Sequence, residues 1–208
     1  MVKRTKPTGK ISQDRLSAQG IETIKIEFPK TKEEIEIYIA KLYTKELSKL
    51  GETIEGLELN ETDDFDFNCT LNGEINYLEL MEIANLQNSG YESAKERYVY
   101  DAFAKFILGQ IRKKSLRYNG VTDKPIILLI YTTENRFYPT DQVLELLEYW
   151  LRKGEEHLYQ IDVLCPLVGE RATLRRVFPS TRKNWVGFSP AKYKHQGVAF
   201  GKLVKNPR

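Results

Sequence analysis

Residues 21–28, IETIKIEF, alternate apolar and polar side chains with the period of a half-buried strand, and Pro29 ends the run. The period then lengthens. Ile35, Ile37, Ile39, Leu42, Leu47 and Leu50 make a helical stripe across residues 31–50. Thr31 is placed to cap its first turn, Glu33 and Glu34 complement the positive end of the helix dipole, and Gly51 closes it. Short strands are expected at 53–59, 65–71 and 75–83. Asn72-Gly73, between the last two, is the dipeptide of a two-residue hairpin turn. A long helix is expected from about Tyr91 to Tyr118, with Ala94, Tyr98, Ala102, Phe106, Ile107 and Ile111 as apolar members and Asn119-Gly120 as its stop. The run IILLIY at 126–131 predicts a strand covered on both faces. Thr140 and Asp141 open an amphipathic helix to Lys153, and residues 158–165 and 172–178 read as further strands. Helix, three strands, long helix, strand, helix, strand is the order of an α/β protein with a central mixed sheet flanked by helices.

Composition narrows the class. The 208 residues are 41% hydrophobic and 29% charged, which excludes collagen, coiled coil and wholesale disorder. No apolar stretch approaches the roughly 18 residues of a membrane span. The N-terminus has charge with no apolar segment behind it, so no secretory signal is expected. Two cysteines, Cys69 and Cys165, cannot form a disulfide framework, and a reduced, cytoplasmic setting is expected.

Charge is distributed unevenly. Residues 1–20 carry a net +4, residues 171–208 carry ten Lys or Arg and no Asp or Glu, and the stretch between them is left with −11 of the overall +3. The chain therefore divides into a basic arm (1–20), an α/β domain (21–170) and a basic aromatic segment (171–208). In the last, Arg175, Arg176, Arg182, Lys183, Lys192 and Lys194 are candidates for phosphate contacts. Trp185, Phe188, Tyr193 and Phe200 are interleaved with them as candidates for stacking. The same aromatics would equally pin the segment to the body. DNA is the expected partner, and a homodimer or a protein partner is compatible with the pattern.

The hairpin carries the candidate chemistry. Side-chain alternation puts Tyr77, Glu79 and Met81 on one face of their strand, and Asp64 and Asp66 share a face at the start of the strand before it. The turn folds the strands together, so Asp64 or Asp66 can approach Glu79. Paired acids on a hairpin often only face solvent. Here Glu79 stands among Leu78, Leu80, Met81 and Ile83, an apolar setting that surface placement does not explain. Converging carboxylates offer the oxygen ligands that Mg²⁺ (or Mn²⁺) takes, and such an ion assists phosphoester hydrolysis.

This arrangement resembles the PD-(D/E)XK nucleases. The resemblance covers roughly residues 31–131, and rests on the element order with Asp64-Phe65-Asp66-Phe67 on one strand and Glu79-Leu80-Met81 on the next. It implies a restriction-endonuclease-like core, with metal ligands Asp64, or Asp66 in its place, and Glu79. The family's lysine two residues after the acid is replaced here by Met81. The resemblance extends to nucleases with a QxxxY helix pattern through Gln110, with Lys114 standing where that pattern has its Tyr. A helix-borne cation, Lys114 or the neighbouring Lys113, would then replace the strand lysine, while Gln110 orients water or substrate. RKKSLRY would otherwise simply complement the helix dipole. The implied activity is metal-dependent DNA hydrolysis. The alternatives are a nuclease-fold module that binds nucleic acid or a partner protein without cleavage, and an interaction protein whose acidic body meets a basic partner. His157 and His195 have no ligand-spaced partners, and neither a GxxxxGK loop nor a serine-nucleophile elbow occurs.

Overall fold

The computed structural model describes residues 11–17, 20–60, 65–83, 97–122, 124–152 and 157–199. Its order is β1 (Ile11–Ser17), β2 (Gly20–Ile26), α1 (Lys32–Lys49), β3 (Ile54–Leu59), β4 (Phe67–Leu71), β5 (Glu74–Glu82), β6 (Arg97–Val99), α2 (Tyr100–Tyr118), β7 (Ile126–Tyr131), α3 (Asp141–Leu151), β8 (Gln160–Leu167), β9 (Arg171–Phe178) and β10 (Gly197–Ala199). Six strands form the central sheet in the order β3-β4-β5-β7-β8-β9. The inner pairs β5–β7 and β7–β8 are parallel, and the others are antiparallel. The expected α/β architecture, a mixed sheet flanked by helices, is the one observed. No helix among the described residues is long and apolar enough to cross a membrane.

The parallel centre explains IILLIY. All six residues of β7 are buried, because α1 covers one face of the sheet and α2 with α3 covers the other. Leu78, Leu80, Ile127, Leu129 and Leu164 pack beneath α1 with Ile39, Tyr43 and Leu47. Met81, Ile126, Leu128, Ile130, Ile161 and Val163 pack beneath α2 and α3 with Ile107, Ile111, Val143 and Leu147. α1 begins as its sequence indicates. Glu34 N–H donates to Thr31 Oγ1 at 3.2 Å and Thr31 N–H donates to Glu34 Oε2 at 3.2 Å, a capping box. Thr140 occupies the N-cap position of α3, but its side chain makes no cap bond.

Three expectations are revised. Residues 11–17, read as part of an arm, form β1 and pair with β2. The hairpin is moored where Asn135 Nδ2 donates to Ser12 O at 2.8 Å and Ser12 N–H donates to Asn135 Oδ1 at 3.2 Å. The long helix starts at Tyr100 rather than Tyr91. Residues 91–96 lie outside the described set, and Arg97–Val99 are extended because they pair with β10 from the far end of the chain. Residues 171–178, assigned to the C-terminal segment, are the edge strand β9 of the central sheet.

Candidate active site

The β4–β5 turn sets the geometry. Asn72 and Gly73 both adopt positive φ, 51° and 88°, the conformation that a two-residue hairpin with this twist requires. Phe67 pairs with Leu78, so the next position outward sets Asp66 opposite Glu79 on one face of the sheet. That face lies under α2. Asp66 Oδ2 accepts a 2.7 Å hydrogen bond from Leu80 N–H, which fixes the carboxylate beside Glu79. Asp64 lies outside the described residues.

Glu79 is 5% exposed. Burial pushes its carboxyl above the ordinary carboxylate value. The Lys114 ammonium pulls it back, and the negative charge of Asp66 pushes it up again. Lys114, from the last turns of α2, makes an ion pair with Glu79 Oε1 and donates to Leu80 O at 3.1 Å. Lys113 is exposed. Of the two candidate cations, it is therefore Lys114 that reaches the carboxylate. Gln110, one turn earlier on the same stripe, is half-buried.

Tyr118, one turn beyond Lys114, was not singled out from the sequence. It is 3% exposed, and its hydroxyl is buried beside Glu79 without meeting hydrogen-bond geometry to any described group. Burial, and then the Glu79 charge, push its phenol well above the ordinary value. Its ring packs on Phe65 at 4.8 Å, and Phe65 stacks on Tyr77 at 4.2 Å. The one available signal was its spacing of four from Lys114 and eight from Gln110 along the stripe.

The oxygen donors gathered here suit a hard cation. Glu79 Oε1 and Leu80 O already hold a positive charge, the Lys114 ammonium, and Asp66 adds a carboxylate alongside. Among the described residues, no group of three or more His, Cys, Asp or Glu is placed to bind an ion, so a metal here would rest on two carboxylates and the Leu80 carbonyl.

The expected phosphate contacts divide into two sets. Arg175 Nη2 pairs with the fully buried Glu148 of α3 at 3.2 Å. Arg176 pairs with Glu52 at 2.8 Å and with Asp162 at 3.1 Å. Asp162 is itself fully buried and accepts from Tyr43 Oη at 2.6 Å and Gln160 Nε2 at 2.6 Å. Both guanidiniums thus compensate buried carboxylates. Arg182, Lys183, Lys192 and Lys194 are exposed, and Phe200 lies outside the described residues.

No family model and no curated protein matches the chain. Among solved structures, that of Pyrococcus furiosus SfsA in complex with Ca²⁺ is similar to it. The identity is 16% and the TM-score 0.32, over 80% of this chain and 76% of that one. The functional reading therefore stands on this chain's own residues.

Proposed function

We propose that the protein is a divalent-metal-assisted nuclease acting on DNA in a cytoplasmic setting, with a PD-(D/E)XK-type site whose lysine comes from a helix. One observation carries this reading. Lys114 of α2 converges on Glu79 and Leu80 O beside Asp66, where the substitution of Met81 for the strand lysine would otherwise leave the site without a cation. Asp66 and Glu79, with Asp64 as a further candidate, would hold Mg²⁺ or Mn²⁺. When bound, such an ion polarises a phosphoryl oxygen and lowers the pKa of a water. Lys114 stabilises charge developing on the phosphate, and Gln110 lies on the stripe that faces the water or substrate. Tyr118, Phe65 and Tyr77 close the apolar side of the site, which strengthens each charge inside it.

The test is cleavage of plasmid and linear duplex DNA with Mg²⁺ or Mn²⁺. Lys114→Met is expected to lose about 10²–10³-fold in rate, as removal of one charge-stabilising donor does, while duplex affinity persists. A wild-type chain that binds duplex DNA but cuts nothing with either metal favours the second reading, a non-cleaving binding module. Met81 at the lysine position and the direct Lys114–Glu79 ion pair are the observations on that side.

A further inference from the structure

Val186 is 90% exposed at the tip of the turn Trp185–Phe188, the most exposed of the large apolar residues described. This turn is built rigidly. Phe188 N–H donates to Trp185 O at 3.1 Å, Val186 N–H donates to Asn184 Oδ1 at 2.8 Å, and Gly187 supplies the positive φ of 78°. Beneath the tip the aromatics are already spent on one another. Trp185 and Phe188 meet edge-on at 5.0 Å, and both lie against Tyr149 of α3, at 5.5 Å and 5.0 Å. Arg182 covers Trp185 at 4.5 Å, and Lys192 lies over Tyr193 at 4.6 Å. These rings already pack on one another and on Tyr149, with Arg182 and Lys192 laid against them. They form a pedestal beneath an aliphatic tip, and Arg182, Lys183, Lys192 and Lys194, all exposed, lie within eight residues of it along the chain. Lys183 and Lys194 have no carboxylate partner among the described residues, and the one carboxylate that Arg182 meets there is the half-buried Glu145, at 3.5 Å.

We propose that this turn is a duplex-DNA contact in which Val186 lodges against a base step while Arg182, Lys183, Lys192 and Lys194 hold the flanking phosphates. The charge identifies the partner, since no acidic residue occurs anywhere in residues 171–208. The exposed aliphatic side chain identifies the mode, because apolar tips that enter the minor groove unstack a base step. The proposal rests on the DNA-acting reading and deepens it. Helix α2 gives the scale of the separation between this segment and the candidate site. Tyr193 meets Tyr100 at the first turn of α2, and Lys114 lies fourteen residues further along, about 21 Å at 1.5 Å per residue and about six base pairs of duplex.

The experiment titrates the full chain against a duplex carrying 2-aminopurine at a central TA step. Anisotropy reports binding, and base fluorescence reports unstacking. The wild type is expected to bind and to brighten the probe. Val186→Ala, at a position too exposed to affect folding, should bind a few-fold more weakly and lose most of the brightening. Lys183→Gln/Lys192→Gln/Lys194→Gln should flatten the log–log salt slope by about 2.7. Duplex binding with no brightening, or brightening unchanged by Val186→Ala, overturns the contact while leaving the DNA-acting reading in place. No duplex binding at all removes that reading too. If anionic vesicles take up the wild type and Val186→Ala abolishes this while duplex is ignored, the turn is a membrane contact and the proposal is wrong.

Discussion

Glu79 shows how one side chain can be costly and useful at once. Its folded pKa lies above the ordinary 4.5 because burial, the largest cause, outweighs the pull of Lys114. Folding therefore favours its protonated form. That stabilisation is fully present below the unfolded pKa and is lost as pH rises through the folded one. Lys114→Met removes the compensating charge and should destabilise the fold at pH 7.5 by on the order of 3 kcal/mol. The deficit should be smaller at pH 5, because acidification favours the neutral carboxyl that needs no partner. Urea midpoints of the two proteins at both pH values check this, and a deficit that grows on acidification would refute it. That Asp64 or Asp66 would approach Glu79 was legible from alternation about an Asn-Gly turn, and Asp66 is the one described beside it. The choice of Lys114 over Lys113 was not, since one residue rotates a helix position by about 100° and only packing fixes the phase. Arg175 and Arg176 look alike in sequence. The strand points one at Glu148 and the other at Asp162, and those partners are distant along the chain.

The β4–β5 hairpin is the element on which the site depends. Strand side chains alternate, so a slip of one residue in register would send Glu79 to the α1 side of the sheet, away from Lys114. Gly73, with φ of 88°, is what the turn requires. Gly73→Ala places a Cβ in that left-handed region and should cost about 1–2 kcal/mol, with nothing nearby for the new methyl to strike. A thermal melt that is unchanged would show that the turn tolerates the strain. Elements read correctly were those whose signal is local, namely the Asn-Gly turn, the Thr31 cap of α1 and the apolar run of β7. Elements missed were those whose signal lies elsewhere. β1 is a strand because β2 returns against it, and Arg97–Val99 are extended because Gly197–Ala199 arrive beside them.

At the scale of the whole molecule, the basic C-terminal segment is structural before it is anything else. Tyr193 is buried, its hydroxyl donates to Glu145 at 3.1 Å, and β10 pairs with the strand that leads directly into α2. Gly197 is needed for that pairing, because a Cβ there would stand 2.1 Å from the main-chain oxygen of Tyr98. Gly197→Val should therefore open the β6–β10 pair and remove hydrogen-exchange protection at Tyr100, whose N–H donates to Gln196 O. Gly109→Ala, mid-helix with nothing within 4 Å, should instead stabilise by about 0.5–1 kcal/mol and serves as the control. Tyr100 protection that survives in Gly197→Val would show that the pairing does not hold the start of α2. The β6–β10 pair also imposes an order on synthesis. Its two strands lie 98 positions apart at the Val99–Gly197 partners, so during translation the entry to α2 has no strand partner until residues 197–199 have left the ribosome. The helix that carries Lys114 can pack on the sheet early, but its first residues are tied down among the last events of folding.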